Sequence, residues 1–415
     1  MLQITTLTTK TVFSRGLTVI FLGFLALAFS YSARAALGLA MPVWEAEFGW
    51  SRSFISNVGA LALVVTAIAA PVTGVILDRK GLRFTLLTGL CMLCTACALV
   101  AVATNKWFFM FAFGIVGGIG FGMVAMHVVA TAVARTFSKK VGLSTGVATS
   151  GGTIGQLIVI PLIAILLTSY SWQWGFLSLA VGVACLIPFV WLVPNEPSNS
   201  VDEQPVEKVT DQGENWKPIL KKLMTNRVFH LLFWSYFICG YTTTGVIETH
   251  LMPFASYCGF PPLASATAYG LLATINLLGM IGIGWLTDKV NRAFLLATIY
   301  LIRALSFLLL MNIGSSYEVL IVFAIIFGIV DYSTVPVTSS IVASELGLKH
   351  MGLIMGLLTA GHQIGASIGA SFGGLMFDQY GDYNGVWLSS LLFAGLAAVI
   401  ALGLNLKAKT SHRVE

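Results

Sequence analysis

Arg34, Glu248, Asn276, Arg303, Asp331 and His362 stand inside otherwise apolar stretches of the chain. A guanidinium grips a carboxylate through two parallel hydrogen bonds. A carboxyl withdrawn from water suits a proton carrier, and an imidazole titrates in the physiological range. Each such group needs a partner, water or a task, because an ionised side chain at hydrocarbon depth costs at least ~2.5 kcal/mol. Covalent catalysis is not indicated, since no nucleophile–base constellation is visible. Cys91, Cys94 and Cys97 recur at three-residue steps, but no His, Asp or Glu accompanies them. They read as small hydrophobes rather than metal ligands. The phosphate-cradling pattern G-x-x-x-x-G-K-[ST] does not occur. Neither an enzyme nor a cofactor is expected.

The elements that must position these groups are apolar helices. The chain is 57% hydrophobic and 10% charged, with a mean hydropathy of +0.88. That leaves too little polar surface for a soluble domain. Twelve runs are each long enough to cross a ~30 Å hydrocarbon layer. They fall near 15–41, 53–77, 84–104, 107–134, 141–168, 172–193, 228–253, 263–287, 293–313, 317–342, 351–375 and 383–405. The first lacks a small-residue cleavage site and reads as a retained helix. The polar, proline-containing stretch from 195 to about 227 reads as a linker between six spans (1–194) and six more (228–415).

Charge gives an orientation. With the N-terminus inside, cytoplasmic segments hold 19 of the 23 Lys and Arg residues. Outer loops hold Arg52 and Lys106, while Arg34 and Arg303 lie within spans. This asymmetry is the one expected of cytoplasmic loops. It places both termini in the cytoplasm and accounts for the net charge of +6 without nucleic acid.

The halves are copies of one another at an offset of 210 residues. Gly142, Gly146, Thr149, Gly151, Gly155 and Ile158 recur as Gly352, Gly356, Thr359, Gly361, Gly365 and Ile368. Tyr31 and Tyr241 share the offset, whereas the Met-Pro pairs at Met41 and Met252 have slipped by one. A loop sequence is duplicated too: G-V-I-L-D-R-K-G-L-R from Gly74 returns as G-W-L-T-D-K-V-N-R from Gly284. Small residues four apart, as in Gly361–Gly365–Gly369–Gly373 and Gly114–Gly118–Gly122, let helix backbones approach closely in lipid.

Gly74, Asp78, Arg79, Gly81 and Arg83 resemble the loop signature of the major facilitator superfamily. Gly284, Asp288 and Arg292 match it in the second copy, with Asn291 in place of the glycine. The resemblance implies an all-α membrane protein of twelve transmembrane helices in two pseudo-symmetric six-helix bundles. It further implies a monomeric secondary transporter working by alternating access in a bacterial cytoplasmic membrane.

In that family the first, fourth, seventh and tenth spans line a central cavity. Arg34 then becomes a substrate carboxylate clamp, or else an ion-pair partner of Glu248 at similar depth. Tyr31, Tyr241, Asn276, Tyr332 and His362 are further substrate-binding candidates, with His127 and His250 weaker. Asp331, His362 and Glu248 are candidates for carrying the coupling proton. An Arg303–Asp331 ion pair is the competing reading for that aspartate. Asp78 closes a helix C-terminus, where a negative charge is disfavoured. It should therefore seek Arg79, Arg83 and the start of the eleventh span, while Asp288 seeks the start of the fifth near Gly142. With Gly74 and Arg292, these residues would form a conformational latch on the cytoplasmic side. The glycine stripe of the eleventh span reads either as static packing or as a seam sliding against the other half.

F-G-W-S-R-S from Phe48 is similar to a segment of the monocarboxylate porter and oxalate/formate antiporter branches. Those branches carry an arginine on the eighth span, where this chain has Asn276 and Met280, and the oxalate exchangers' lysine on the eleventh, where it has His362. The expected solute is a small organic anion, monocarboxylates first, moved with protons. An exporter of a drug- or siderophore-like amphipathic compound is the alternative, and a membrane sensor without transport a further one. The multidrug branch's Gly-Pro is missing from A-T-S-G-G-T-I-G at Ala148.

Overall fold

The structure, a computed structural model, describes residues 2–193, 216–314 and 316–404, and every regular element among them is helical. Ten helical runs are long and apolar enough to cross a membrane. The longest, Phe54–Ala101, is two helices meeting at Gly81, whose φ of 77° suits glycine. Residues 227–257 add a twelfth, less apolar because it carries Thr242, Thr243, Thr244, Glu248 and His250.

In chain order these are α1 (Gly16–Phe48), α2 (52–80), α3 (82–101), α4 (Lys106–Thr136), α5 (Val141–Leu167) and α6 (Trp172–Leu192). The second half holds α7 (227–257), α8 (Pro262–Thr287), α9 (Arg292–Met311), α10 (Tyr317–Leu346), α11 (Met351–Tyr380) and α12 (Asn384–Leu402). Residues 194–215 of the expected linker lie outside the described residues. A short helix, Trp216–Met224, precedes α7, which Asn226 caps by accepting the Phe229 amide at 3.1 Å.

The duplicated loop is built in two ways. In the first copy Gly81 turns the chain; at the equivalent position Asn291 instead caps α9, accepting the Phe294 amide at 3.1 Å. Its φ is −63°, so no glycine is needed there.

Each half has its own apolar core. One runs from Ala26 to Val190 around Trp44, Phe109, Trp172 and Phe176; another, from Tyr241 to Ala394, includes Phe307, Phe323 and Trp387. Along one edge of the central seam α2 packs on α11, and along the other α5 packs on α8. Backbones touch there. A Cβ on Gly74 would stand 2.1 Å from the Gly352 carbonyl oxygen, and one on Gly142 would stand 2.4 Å from that of Gly284.

The α11 stripe takes no part in this seam. Gly361, Gly365, Gly369 and Gly373 face Phe233, Phe237, Tyr241 and His250 of α7, in the same half. The stripe is therefore packing within one half, and α11 meets the other half through Gly352 and Gly356. Gly114, Gly118 and Gly122 likewise seat α4 on α2.

Two mid-helix breaks expose backbone near the molecular centre. In α4 the helix lapses at Val124 and Ala125, and in α10 at Asp331 to Ser333. Irregular backbone at such depth is tolerated where it is enclosed by protein or lines a cavity.

Candidate functional site

A cavity lies between the halves, with one wall from α1, α2 and α4 and the other from α7, α10 and α11. Ser30, Tyr31, Arg34, Thr66, Phe121, Ala125, Met126 and His127 face Tyr236, Tyr332, Val335, Thr359, His362 and Gln363 across it. The α10 break delivers Tyr332 to this space, and the α4 break delivers Ala125, Met126 and His127.

At one end Arg34 stands 3.9 Å from Glu248, and each side chain keeps 22% exposure. The guanidinium also lies 5.0 Å from the centre of the Tyr31 ring. Tyr31 meets Tyr332 edge-on at 6.3 Å. Glu248 accepts hydrogen bonds from Thr244 at 3.1 Å and from the Tyr332 hydroxyl. The result is an arginine and a carboxylate from opposite halves, both reachable and framed by tyrosines.

Several expected residues lie elsewhere. Tyr241 bonds Ser389 of α12 at 2.8 Å and packs on Phe372 and Phe393, so it is corrected to a packing residue. Its duplicate Tyr31 does reach the cavity. From Tyr241 to Ile247, α7 forms a wider π turn, which takes up an extra residue, whereas α1 is a regular α-helix at the equivalent point. The same insertion explains why Met41 and Met252 are 211 apart rather than 210. His250 likewise points away, bonded to the Ala370 carbonyl at 2.9 Å.

Asn276 is also reassigned. Its amide donates to the Asp331 carboxylate, and its oxygen accepts the Tyr332 amide, both at 3.3 Å. It is 2% exposed and splints the α10 break instead of facing a solute. The expected Arg303–Asp331 ion pair takes another form. Arg303, fully buried, donates to the backbone carbonyls of Val330 and Asp331 and to Cys239 Sγ at 3.0 Å. Asp331 Oδ1 is buried without a hydrogen-bond partner. Asp331 is not among the cavity-lining residues, whereas His362, beside Tyr236, is.

The strongly basic face, bearing Arg79, Arg83, Arg135, Lys139, Lys140, Lys289 and Arg292, is shut. Asp78 accepts the amides of Gly352 at 2.8 Å and Leu353 at 2.9 Å, the first turn of α11. Asp288 accepts those of Gly142 at 2.8 Å and Leu143 at 3.0 Å, the first turn of α5. Free amides at a helix start favour such anions.

Asp78's cationic partner is Arg135 of α4, not the expected Arg83. Arg135 also donates to the Leu348 carbonyl at 2.9 Å, tying the halves together. Arg83 instead holds the end of α6, donating to Val193 at 2.6 Å and Trp191 at 2.9 Å. Arg292 reaches the Ser340 carbonyl at 3.5 Å. Arg135 does not stand out in the sequence, because its duplicate position is Glu345, which breaks the repeat.

Over residues 23–314 and 277–414 the chain matches the family model described as Major Facilitator Superfamily. An uncharacterized MFS-type transporter of Bacillus subtilis, YcxA, is 26% identical over 384 residues, covering 90% of this chain and 91% of the relative. Monocarboxylate transporter 12 of Rattus norvegicus is 24% identical over 378 residues, covering 85% and 77%. Among solved structures, the proton:xylose symporter XylE superposes with a TM-score of 0.74 at 15% identity, over 93% of this chain and 95% of that one. The human organic anion transporter MFSD10 gives 0.70 at 18%, over 94% and 99%. These superpositions speak to the fold.

Proposed function

This chain belongs to the Major Facilitator Superfamily and is a transporter rather than an enzyme, and we propose that it carries a small organic anion, monocarboxylate in kind, together with a proton. One observation carries the reading: the accessible Arg34 guanidinium has a carboxylate, Glu248, only 3.9 Å away, on the opposite half. Near a protein surface two unit charges at that distance attract by roughly 4 kcal/mol. While Glu248 is ionised it satisfies Arg34. Once Glu248 takes a proton, the guanidinium is left with uncompensated charge and holds the solute's carboxylate through paired hydrogen bonds. Anion and proton thus favour one another's binding, and the coupling is reciprocal. The monocarboxylate transporters among the relatives support the solute class.

The access cycle follows from the shut face. We place the basic face in the cytoplasm on charge asymmetry, as for a bacterial cytoplasmic membrane. The Asp78 and Asp288 contacts hold that side closed, and opening it separates α2 from α11 and α5 from α8. The cargo supplies the difference in stability between the two postures.

The test is transport by purified protein in liposomes. Wild type should accumulate a labelled monocarboxylate under an inward proton gradient. Arg34→Gln should abolish uptake, and Glu248→Gln should lose gradient-driven accumulation while retaining slower anion exchange. Undiminished accumulation by Glu248→Gln would overturn the proton assignment, and anion uptake by Arg34→Gln would overturn the clamp.

A further inference from the structure

The cavity's far end has polar atoms that Arg34 and Glu248 leave unused. His127 of α4 is 2% exposed and lines the cavity, and neither ring nitrogen has a hydrogen-bond partner. Gln363 of α11 is 8% exposed, lines the same space, and its Oε1 is likewise unpartnered. A buried polar atom left unmet costs about 1–3 kcal/mol, so a cargo that meets these two gains what the protein alone forgoes. The Ala70 carbonyl lies near His127 without completing a hydrogen bond. A neutral imidazole that turns its N–H toward that carbonyl presents its other nitrogen as an acceptor. The free His127 nitrogen is then an acceptor that calls for a donor, and Gln363 adds a second acceptor, Oε1, beside its own NH2 donors.

Aromatic rings line both walls of the cavity. Tyr31 and Phe121 stand on one side, and Tyr332 and Tyr236 on the other. Tyr31 and Tyr332 already touch edge-on, the arrangement aromatic rings prefer. A flat apolar body offers such walls more contact than a short aliphatic chain does, once Tyr31 and Tyr332 part to admit it. The helices keep the two ends apart: Arg34 lies beyond the middle of α1, whereas His127 lies past the break of α4 toward the basic face.

We propose that the preferred cargo is an aryl carboxylate with a hydroxyl or N–H donor opposite its carboxylate, the carboxylate on Arg34 and the donor on His127 and Gln363. This rests on the anion reading above and narrows it.

Equilibrium binding of labelled 4-hydroxybenzoate to the purified full chain tests it, with benzoate, 4-methoxybenzoate and lactate as competitors. The donor should be worth about tenfold in affinity, the equivalent of one net hydrogen bond. Benzoate should therefore bind about tenfold more weakly, and 4-methoxybenzoate, which has no donor, at least as weakly. The ratio of 4-hydroxybenzoate to benzoate affinity should fall toward one in His127→Phe and separately in Gln363→Leu. Equal competition by 4-methoxybenzoate, or a ratio unchanged in both variants, overturns the proposal. If labelled lactate, measured in parallel, binds and the aryl acids neither bind nor displace it, this inference falls while the anion reading stands. If no acid binds, both fall.

Discussion

The Asp78 carboxylate accepts the Gly352 amide at 2.8 Å, and the chain repeats this contact with its halves exchanged. Asp288 lies 210 residues after Asp78, Gly142 lies 210 before Gly352, and their contact is also 2.8 Å. One ancestral aspartate-to-helix-start contact has become two, on opposite edges of the seam. Arg135 supports the first.

The two contacts should accordingly be unequal. A hydrogen bond to a charged group is worth about 1.5–3 kcal/mol. Asp78→Asn, which weakens both the amide contacts and the Arg135 pair, should shift the population toward an open basic face more than Asp288→Asn does. Labelling rates of single cysteines placed along that face of the cavity report the shift. Equal effects from the two variants would show that Arg135 adds nothing.

Backbone contact at the seam makes two glycines intolerant. Gly74→Ala and Gly142→Ala put a methyl at 2.1 Å and 2.4 Å from carbonyl oxygens of the other half, too close to be absorbed. Both should prevent closure of the basic face and reduce transport at least tenfold, since each overlap costs more than ~1.4 kcal/mol. Gly282→Ala on α8 meets nothing within 4 Å and should behave as wild type. Accessibility labelling and transport rate together decide.

Arg303 and Arg34 should separate in stability. Arg303→Met strands two buried carbonyls at the α10 break, costing on the order of 3 kcal/mol. Arg34→Gln removes a partly exposed side chain and should leave thermal unfolding in detergent nearly unchanged. If Arg303→Met melts with wild type, the guanidinium is not the support of that break.

Asn276 makes a related prediction. Asn276→Ala leaves the Asp331 carboxylate and the Tyr332 amide without the partner they share. Unfolding should come about 1–3 kcal/mol sooner, and because Tyr332 is displaced, anion affinity should fall as well. Loss of stability with affinity intact would confine Asn276 to folding.

The spans, the duplication and the Asp78 and Asp288 contacts are legible because apolar length and repeat spacing are properties of the chain itself. Partner choice is less so. Arg83 lies nearer to Asp78 in sequence than Arg135 does, yet the turn at Gly81 sends it to the end of α6. Tyr241 follows the repeat in sequence but leaves it in space, where its hydroxyl bonds Ser389 of α12. The Met41–Met252 slip marks the π turn that follows it. Arg303 and Asp331 look like an ion pair in one dimension. In three, the helix breaks at Asp331, and the carbonyls it frees take the guanidinium. His127, a weaker candidate in the sequence, gains weight and Gln363 becomes noticeable when their surroundings leave those atoms unmet.

Proton uptake on anion binding tests the Arg34–Glu248 pair most directly. In weakly buffered detergent solution, saturating wild-type protein with a monocarboxylate should draw about one proton from the medium per anion bound, as reciprocal coupling requires. Glu248→Gln should bind the anion and draw none. Uptake that persists in Glu248→Gln, or anion binding by wild type with no proton taken up, would contradict the account.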